Sequence, residues 1–222
     1  KVLLSISLLF LSVGQIFAAE LPFTDVSTSD TFYSAVKKLY DGGIITKSPD
    51  NLFRPNELMN RDFYVSLTVW VGCKKCAIPD QSDIVRYNSS PFVDLPKTNE
   101  YYYCIAYAAD KNITSWYILD ETGQTKCENG QSYTTQPFCA ANTITRIEAA
   151  AILLRRWNLW NETLNNGNFE RSLSIPDASS YWYGYAKKWI EYGIITPKSD
   201  NTIGQNDKIT RAEFSIMAAK IL

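Results

Sequence analysis

The strongest constraint on this chain is a phrase written three times. Ile209-Thr210-Arg211-Ala212-Glu213-Phe214 recurs as Ile144-Thr145-Arg146-Ile147-Glu148 and, in degraded form, as Met59-Asn60-Arg61-Asp62-Phe63. A Thr followed three residues later by Glu, just ahead of an apolar-periodic run, is a capping box. The hydroxyl accepts from the N3 amide, and the carboxylate accepts from the amide of the cap residue. Each copy therefore opens a helix, and the chain is built from repeats. In the first copy Asn60 keeps the cap position but Phe63 stands where the Glu belongs, so a one-sided cap is expected there.

Between cap and helix stand Arg61, Arg146 and Arg211, all at N1. A cation there sits at the positive end of the helix dipole, so something other than helix stability places it. One reading is an anion site made from free amides, the dipole and a guanidinium, suited to a carboxylate-bearing ligand. The other is an Arg paired with an acidic residue of a neighbouring repeat.

Other phrases recur in register. Pro22-Phe23-Thr24-Asp25-Val26 returns as Pro91-Phe92-Val93-Asp94-Leu95 and, more weakly, as Ile175-Pro176-Asp177-Ala178. These Asp residues are read as caps or loop braces. The first helix of each unit then opens on an aromatic pair, Phe32-Tyr33, Tyr101-Tyr102 or Trp182-Tyr183. Such rings are core at helical spacing, or their polar tips face a sugar ring. Each first helix ends at Gly43, Asn112 or Gly193, the residue types that take the left-handed conformation after a helix. From that residue to the motif Arg is 18 positions in repeats one (43 to 61) and three (193 to 211) but 34 in repeat two (112 to 146). Repeat two thus holds a 16-residue insertion, and Cys127 and Cys139 lie in it.

Residues 1–19 read as a secretory signal, with Lys1 ahead of a largely apolar run ending in Ala18-Ala19. Residues 20–72 form repeat one, 73–90 a spacer, 91–158 repeat two with the Cys-containing insertion, 159–174 a second spacer and 175–222 repeat three. Both spacers are read as surface connections. Without the signal, which carries only Lys1, 21 basic residues face 23 acidic ones, so nothing attracts nucleic acid. No second long apolar segment supports a membrane span once the signal is cleaved. The chain has no histidine, which excludes Ser-His-Asp and Cys-His catalysis and His-ligated metals, and no cofactor is implied. Five cysteines in an exported chain point to disulfides. Cys127 and Cys139 are the first candidate pair, while Cys73, Cys76 and Cys104 compete for a second.

A Phe-x-Asp-Val opening, a helix, Gly-Ile-Ile-Thr, the Phe53-Arg54-Pro55 loop and Ile-Thr-Arg-Ala-Glu-Phe together resemble the S-layer homology domain. Three tandem copies cover nearly all of residues 20–222, and repeat two departs by Asn112, its insertion and Ile147. The resemblance implies an all-α fold in which three helix-loop-helix repeats pack as a pseudo-threefold spindle with ligand grooves between neighbours. It implies a secreted, non-catalytic module at the bacterial cell wall or S-layer, binding secondary cell-wall polysaccharide, often pyruvylated, or peptidoglycan-linked polymer. S-layer or other surface proteins are further expected partners. The family's groove Arg falls on Arg61, Arg146 and Arg211; Gly43, Gly193, Trp182 and Tyr183 complete the candidate ligand-binding set. The alternatives are an exported glycoside hydrolase using two carboxylates, and an adhesin or scaffold with degenerate grooves.

Overall fold

The computed structural model describes residues 20–72, 80–115, 117, 119–156 and 183–222. The expected signal segment, the Cys73/Cys76 pair, the second spacer and Trp182 lie outside the described residues.

The first helices of the repeats are α1 (Tyr33–Asp41), α4 (Tyr102–Asp110) and α6 (Tyr183–Glu191). The second helices are α2 (Arg61–Gly72), α5 (Arg146–Arg156) and α7 (Arg211–Ala219), each starting at its motif Arg. The chain is therefore all-α, as expected. One addition is α3 (Gln81–Arg86), which sits in the first spacer where only a surface connection was expected. It begins with its own capping box, from Asp80 and Asp83. The other addition is a two-residue hairpin in the insertion, β1 (Thr125–Lys126) antiparallel to β2 (Ser132–Tyr133), with Thr125 opposite Tyr133.

The first helices end as their sequences dictate. Gly43, Asn112 and Gly193 take φ of 67°, 55° and 63°, and the next residue returns its amide to the helix. Ile44 donates to the Leu39 carbonyl at 2.9 Å, Ile113 to Ala108 at 2.8 Å and Ile194 to Trp189 at 2.8 Å. That reversal drives all three isoleucines into the core. Asp25 accepts from the amides of Phe53 and Arg54 at 2.7 Å each. Asp94 does the same for Phe138 and Cys139, at 2.7 and 2.6 Å. These carboxylates brace the loop ahead of the second helix of their own repeat, rather than the first helix that follows them.

The repeats join through their pre-helix segments. Met59 donates its amide to the Ile209 carbonyl, Ile209 to Ile144 and Ile144 back to Met59, at 3.0, 3.2 and 3.0 Å. The three residues are at most 1 % exposed. Around this closed triangle α2 packs on α4, α5 on α6 and α7 on α1, so each second helix lies against the first helix of the next repeat. The helices α2 and α5 also meet directly, with the Tyr64 hydroxyl donating to the Ala149 carbonyl at 2.5 Å. Phe214 of α7 closes on the Tyr64 ring at 5.3 Å. Tyr64, Tyr102, Phe138, Trp189 and Phe214 are all at most 1 % exposed. At roughly 1.5–3 kcal/mol per large apolar side chain, their burial is a major part of what holds the ring.

The insertion is tied down at both ends. Cys127 and Cys139 form a disulfide with Cα atoms 5.5 Å apart, as the sequence predicts. Glu128, next to the bridge, accepts from the Thr143 amide at 2.8 Å and from Lys208 of repeat three at 2.8 Å.

Because α7 packs on α1, the chain closes on itself and no repeat keeps its apolar face without the others. A single unfolding transition is expected, with circular dichroism and tryptophan fluorescence superimposing across a denaturant titration. Two separated transitions would show that the repeats are independent beads.

Candidate ligand groove at the motif arginines

The helix starts are not free. Arg61 donates its amide to the Asn142 carbonyl at 2.8 Å and Asp62 to Ala140 at 3.1 Å. One repeat on, Arg146 donates to Asp207 at 2.7 Å and Ile147 to Gln205 at 3.2 Å. Arg211 and Ala212 close the cycle on Glu57 and Pro55, both at 3.0 Å. The N3 amides go to caps, with Glu148 donating to the Thr145 hydroxyl and Glu213 to the Thr210 hydroxyl, each at 3.3 Å. The reciprocal bonds from the Thr145 and Thr210 amides are 2.9 Å each. In repeat one the Phe63 amide is held by the Asp62 carboxylate at 2.7 Å rather than by Asn60. The expected anion site made from free helix amides is therefore absent at these three helices. Any ligand there must be held by side chains.

The guanidinium groups follow the same cycle. Arg61 reaches Glu148 of repeat two at 3.4 Å and the Ser115 carbonyl at 2.8 Å. It lies over the Tyr117 ring at 4.4 Å and the Phe138 ring at 5.1 Å. At 5 % exposure it is the most enclosed of the three. Burial pushes the Tyr117 hydroxyl up to about 12, so the ring beside Arg61 stays neutral. Arg146 reaches Glu213 of repeat three at 3.2 Å. Both partners are capping-box glutamates of the following repeat, so one carboxylate serves a helix start and a neighbour's Arg.

Arg211 breaks the cycle because its partner position is Phe63. Its Nε donates to the Phe53 carbonyl at 2.6 Å, and its guanidinium carbon lies 5.1 Å from both the Phe53 and Phe63 rings. Among the described residues it makes no ion pair. Desolvation lowers its pKa, while the charges of Glu57, Tyr101 and Asp25 act the other way. It lines an open groove with Glu57, Leu58, Asp62, Phe63 and Tyr101, and with Glu100 and Asn60 at its edges. Tyr101 and Phe63 stack obliquely at 5.7 Å. Burial raises the Tyr101 pKa, with Glu100 adding to the shift.

The groove thus belongs to repeats three and one, with Tyr101 and Glu100 contributed from the start of repeat two. Gly43, Gly193 and Tyr183 do not line it. The glycines close their helices, and Tyr183 is 6 % exposed, so it faces the core. Phe63 and Glu57 were missed as groove residues, while Tyr101 belongs to an aromatic pair read either as core or as facing a sugar ring. The one available signal was the departure of Phe63 from the motif.

A family model, described as the S-layer homology domain, matches residues 22–62 and residues 174–215. No curated protein matches the chain. The match finds two regions where the sequence led us to expect three. Repeat two lies outside it, yet repeat two supplies Asn142, Ala140 and Ile144 to the backbone cycle in the same way as its neighbours supply theirs.

Arg61→Ala leaves Glu148 without its cation and opens a hole between two rings. It is expected to lower stability by about 3 kcal/mol in denaturant titration, as breaking an enclosed ion pair does. Asp62 behaves differently. Burial raises its carboxyl pKa, with Glu100 contributing and the Asn99 and Phe63 bonds opposing. The folded state therefore binds the proton more tightly, and stability falls as pH rises from the unfolded pKa through the folded one. Asp62→Asn should melt higher than the parent chain near pH 7 and lose that advantage near about pH 3, where the parent carboxyl is protonated in both states.

Proposed function

We propose, from the S-layer homology domains that the chain carries at residues 22–62 and 174–215, that it is a non-catalytic module that holds onto the bacterial cell wall by binding a secondary cell-wall polysaccharide or peptidoglycan-linked polymer. The chain contacts this glycan through the groove at Arg211. The observation that carries the choice of groove is that Arg211 alone among the motif arginines has no carboxylate partner among the described residues. Arg61 and Arg146 have Glu148 and Glu213, so their charge is already offset by a carboxylate. Phe63 removes the competing carboxylate and, with Tyr101 and the half-exposed Leu58, supplies an apolar wall for a sugar ring.

The recurrent carboxylates do not supply the hydrolase alternative with its residues. Asp25 and Asp94 hold loop amides, and Glu148 and Glu213 hold caps and arginines. A pair of free carboxylates flanking one bond is what that chemistry requires.

Glu57, Asp62 and Glu100 around Arg211 make the groove net acidic when ionised. A carboxylate on the glycan would be repelled by them as it binds Arg211. The raised Asp62 pKa then has a functional sign. Binding of an anionic polymer strengthens as pH falls toward the carboxylate range, because protonation of Asp62, whose pKa burial raises, removes part of the repulsion, whereas binding of a neutral polymer does not.

Cosedimentation with purified walls, before and after chemical removal of the secondary polymer, tests the reading. Binding is expected to be lost with the polymer. Arg211→Ala should weaken it by about 1.5–3 kcal/mol, the range for a charged hydrogen bond. Phe63→Glu restores to Arg211 the partner its counterparts have, and should reduce binding while leaving the melting temperature unchanged or higher. Full binding by both folded variants would remove Arg211 from the site.

A further inference from the structure

Repeat two differs from its neighbours at three adjoining positions. Counted back and forward from the helix-ending residues, Lys37, Tyr40 and Ile45 of repeat one match Lys187, Ile190 and Ile195 of repeat three, but Ala106, Ala109 and Thr114 of repeat two. In repeat one the Tyr40 ring stands edge-on to Phe23, with centroids 5.7 Å apart and planes at 77°. Phe23 in turn lies 5.5 Å from Phe53. In repeat two Phe92 takes the place of Phe23, with Phe138 at 5.0 Å. A methyl group, that of Ala109, stands where the covering ring would be.

The missing volume is a cavity open to the surface. Phe92, Ala106 and Thr114 form its buried side, each at most 3 % exposed. The Thr114 hydroxyl, at a position where both other repeats carry Ile, has no hydrogen-bond partner. An orphaned buried hydroxyl calls for an explanation. The first spacer lines part of the cavity, through Arg86, Tyr87, Ser89 and Ser90. In repeat one Lys37 pairs with Asp41 at 2.8 Å; in repeat two that role passes to Arg86, at the end of α3, which pairs with Asp110 at 2.8 Å. Lys111 reaches the same carboxylate at 3.3 Å, so Asp110 is paired although Ala106 stands at the lysine position. Tyr87 forms the adjacent wall, with its carbonyl accepting from the Tyr102 hydroxyl at 3.0 Å.

We propose that this cavity is a docking pocket for a tyrosine side chain of a partner polypeptide. Repeat one shows what fills the space beside this phenylalanine: a tyrosine ring, edge-on. A tyrosine entering from outside leads with its hydroxyl, which brings a donor and acceptor to Thr114 at the deep end. Its ring meets Phe92 and the methyl groups of Ala106 and Ala109. Phenylalanine would fit the same space and leave Thr114 orphaned, so the pocket distinguishes the two. Preformed apolar cavities of this kind take up aromatic rings. The pocket shares no lining residue with the Arg211 groove, and wall binding does not bear on it.

The test is titration of the full chain, with labelled alanine and threonine methyl groups, by N-acetyltyrosinamide. Chemical-shift changes confined to Ala106, Ala109 and Thr114 and saturating at roughly millimolar ligand are expected, the affinity proper to so small a ligand. N-acetylphenylalaninamide should bind several-fold more weakly, and Thr114→Val should erase that difference. Ala109→Tyr supplies the missing ring from within, and should abolish binding and raise the melting temperature. The proposal is overturned if N-acetyltyrosinamide leaves these methyl groups unmoved. It is equally overturned if Ala109→Tyr folds and still binds, if Thr114→Val keeps the preference for tyrosine, or if p-cresol or N-acetylglucosamine binds where N-acetyltyrosinamide does not.

Discussion

The structure depends on a closed cycle of backbone hydrogen bonds among segments that belong to different repeats. Met59, Ile144 and Ile209 bond to one another in a triangle, and the first two amides of each second helix donate to carbonyls four and six residues ahead of the next motif Arg. A helix start ordinarily leaves its first amides to water or to a cap. Here they are the joints of the assembly. The Met59–Ile144–Ile209 triangle is buried, where an unmade bond is costly, so the three units form together or not at all.

That arrangement explains the arginines better than an intrinsic affinity of helix starts for anions does. The backbone bond at each motif Arg delivers its side chain to the next repeat, where the capping Glu waits in two cases out of three. A cation at the positive end of its own helix dipole is tolerated because a neighbour's carboxylate offsets it. In the third case Phe63 breaks the rule, and the guanidinium at Arg211 is left facing a groove. Arg61, at the helix where only a one-sided cap was expected, is the one most deeply built into the protein.

Both departures from symmetry therefore carry chemistry. Phe63 for Glu leaves Arg211 without a carboxylate partner, and Ala109 with Thr114, where the other repeats carry Tyr40 or Ile190 and an isoleucine, opens a cavity. Positions that obey the threefold pattern meet across the joints, where each Thr-Glu box caps its helix and offsets a neighbour's arginine. Positions that break it leave a donor, a hydroxyl or a volume without an internal partner, and those are where a ligand has something to gain.

The sequence by itself determined what depends on contacts close along the chain. The capping boxes at Thr145 and Thr210, the left-handed helix ends at Gly43, Asn112 and Gly193, the extra segment in repeat two and its Cys127–Cys139 bridge were all legible. Each involves residues within a few positions of one another, or a spacing that can be counted between repeats. Only the tertiary structure decided which arginine is free, that Tyr183 is core while Tyr101 lines the groove, and that the helix amides are occupied. The physical reason is the cyclic offset. The partner of every motif Arg comes from the following repeat, so its environment is set by residues 54–158 positions away, and no local pattern records which of them will face it.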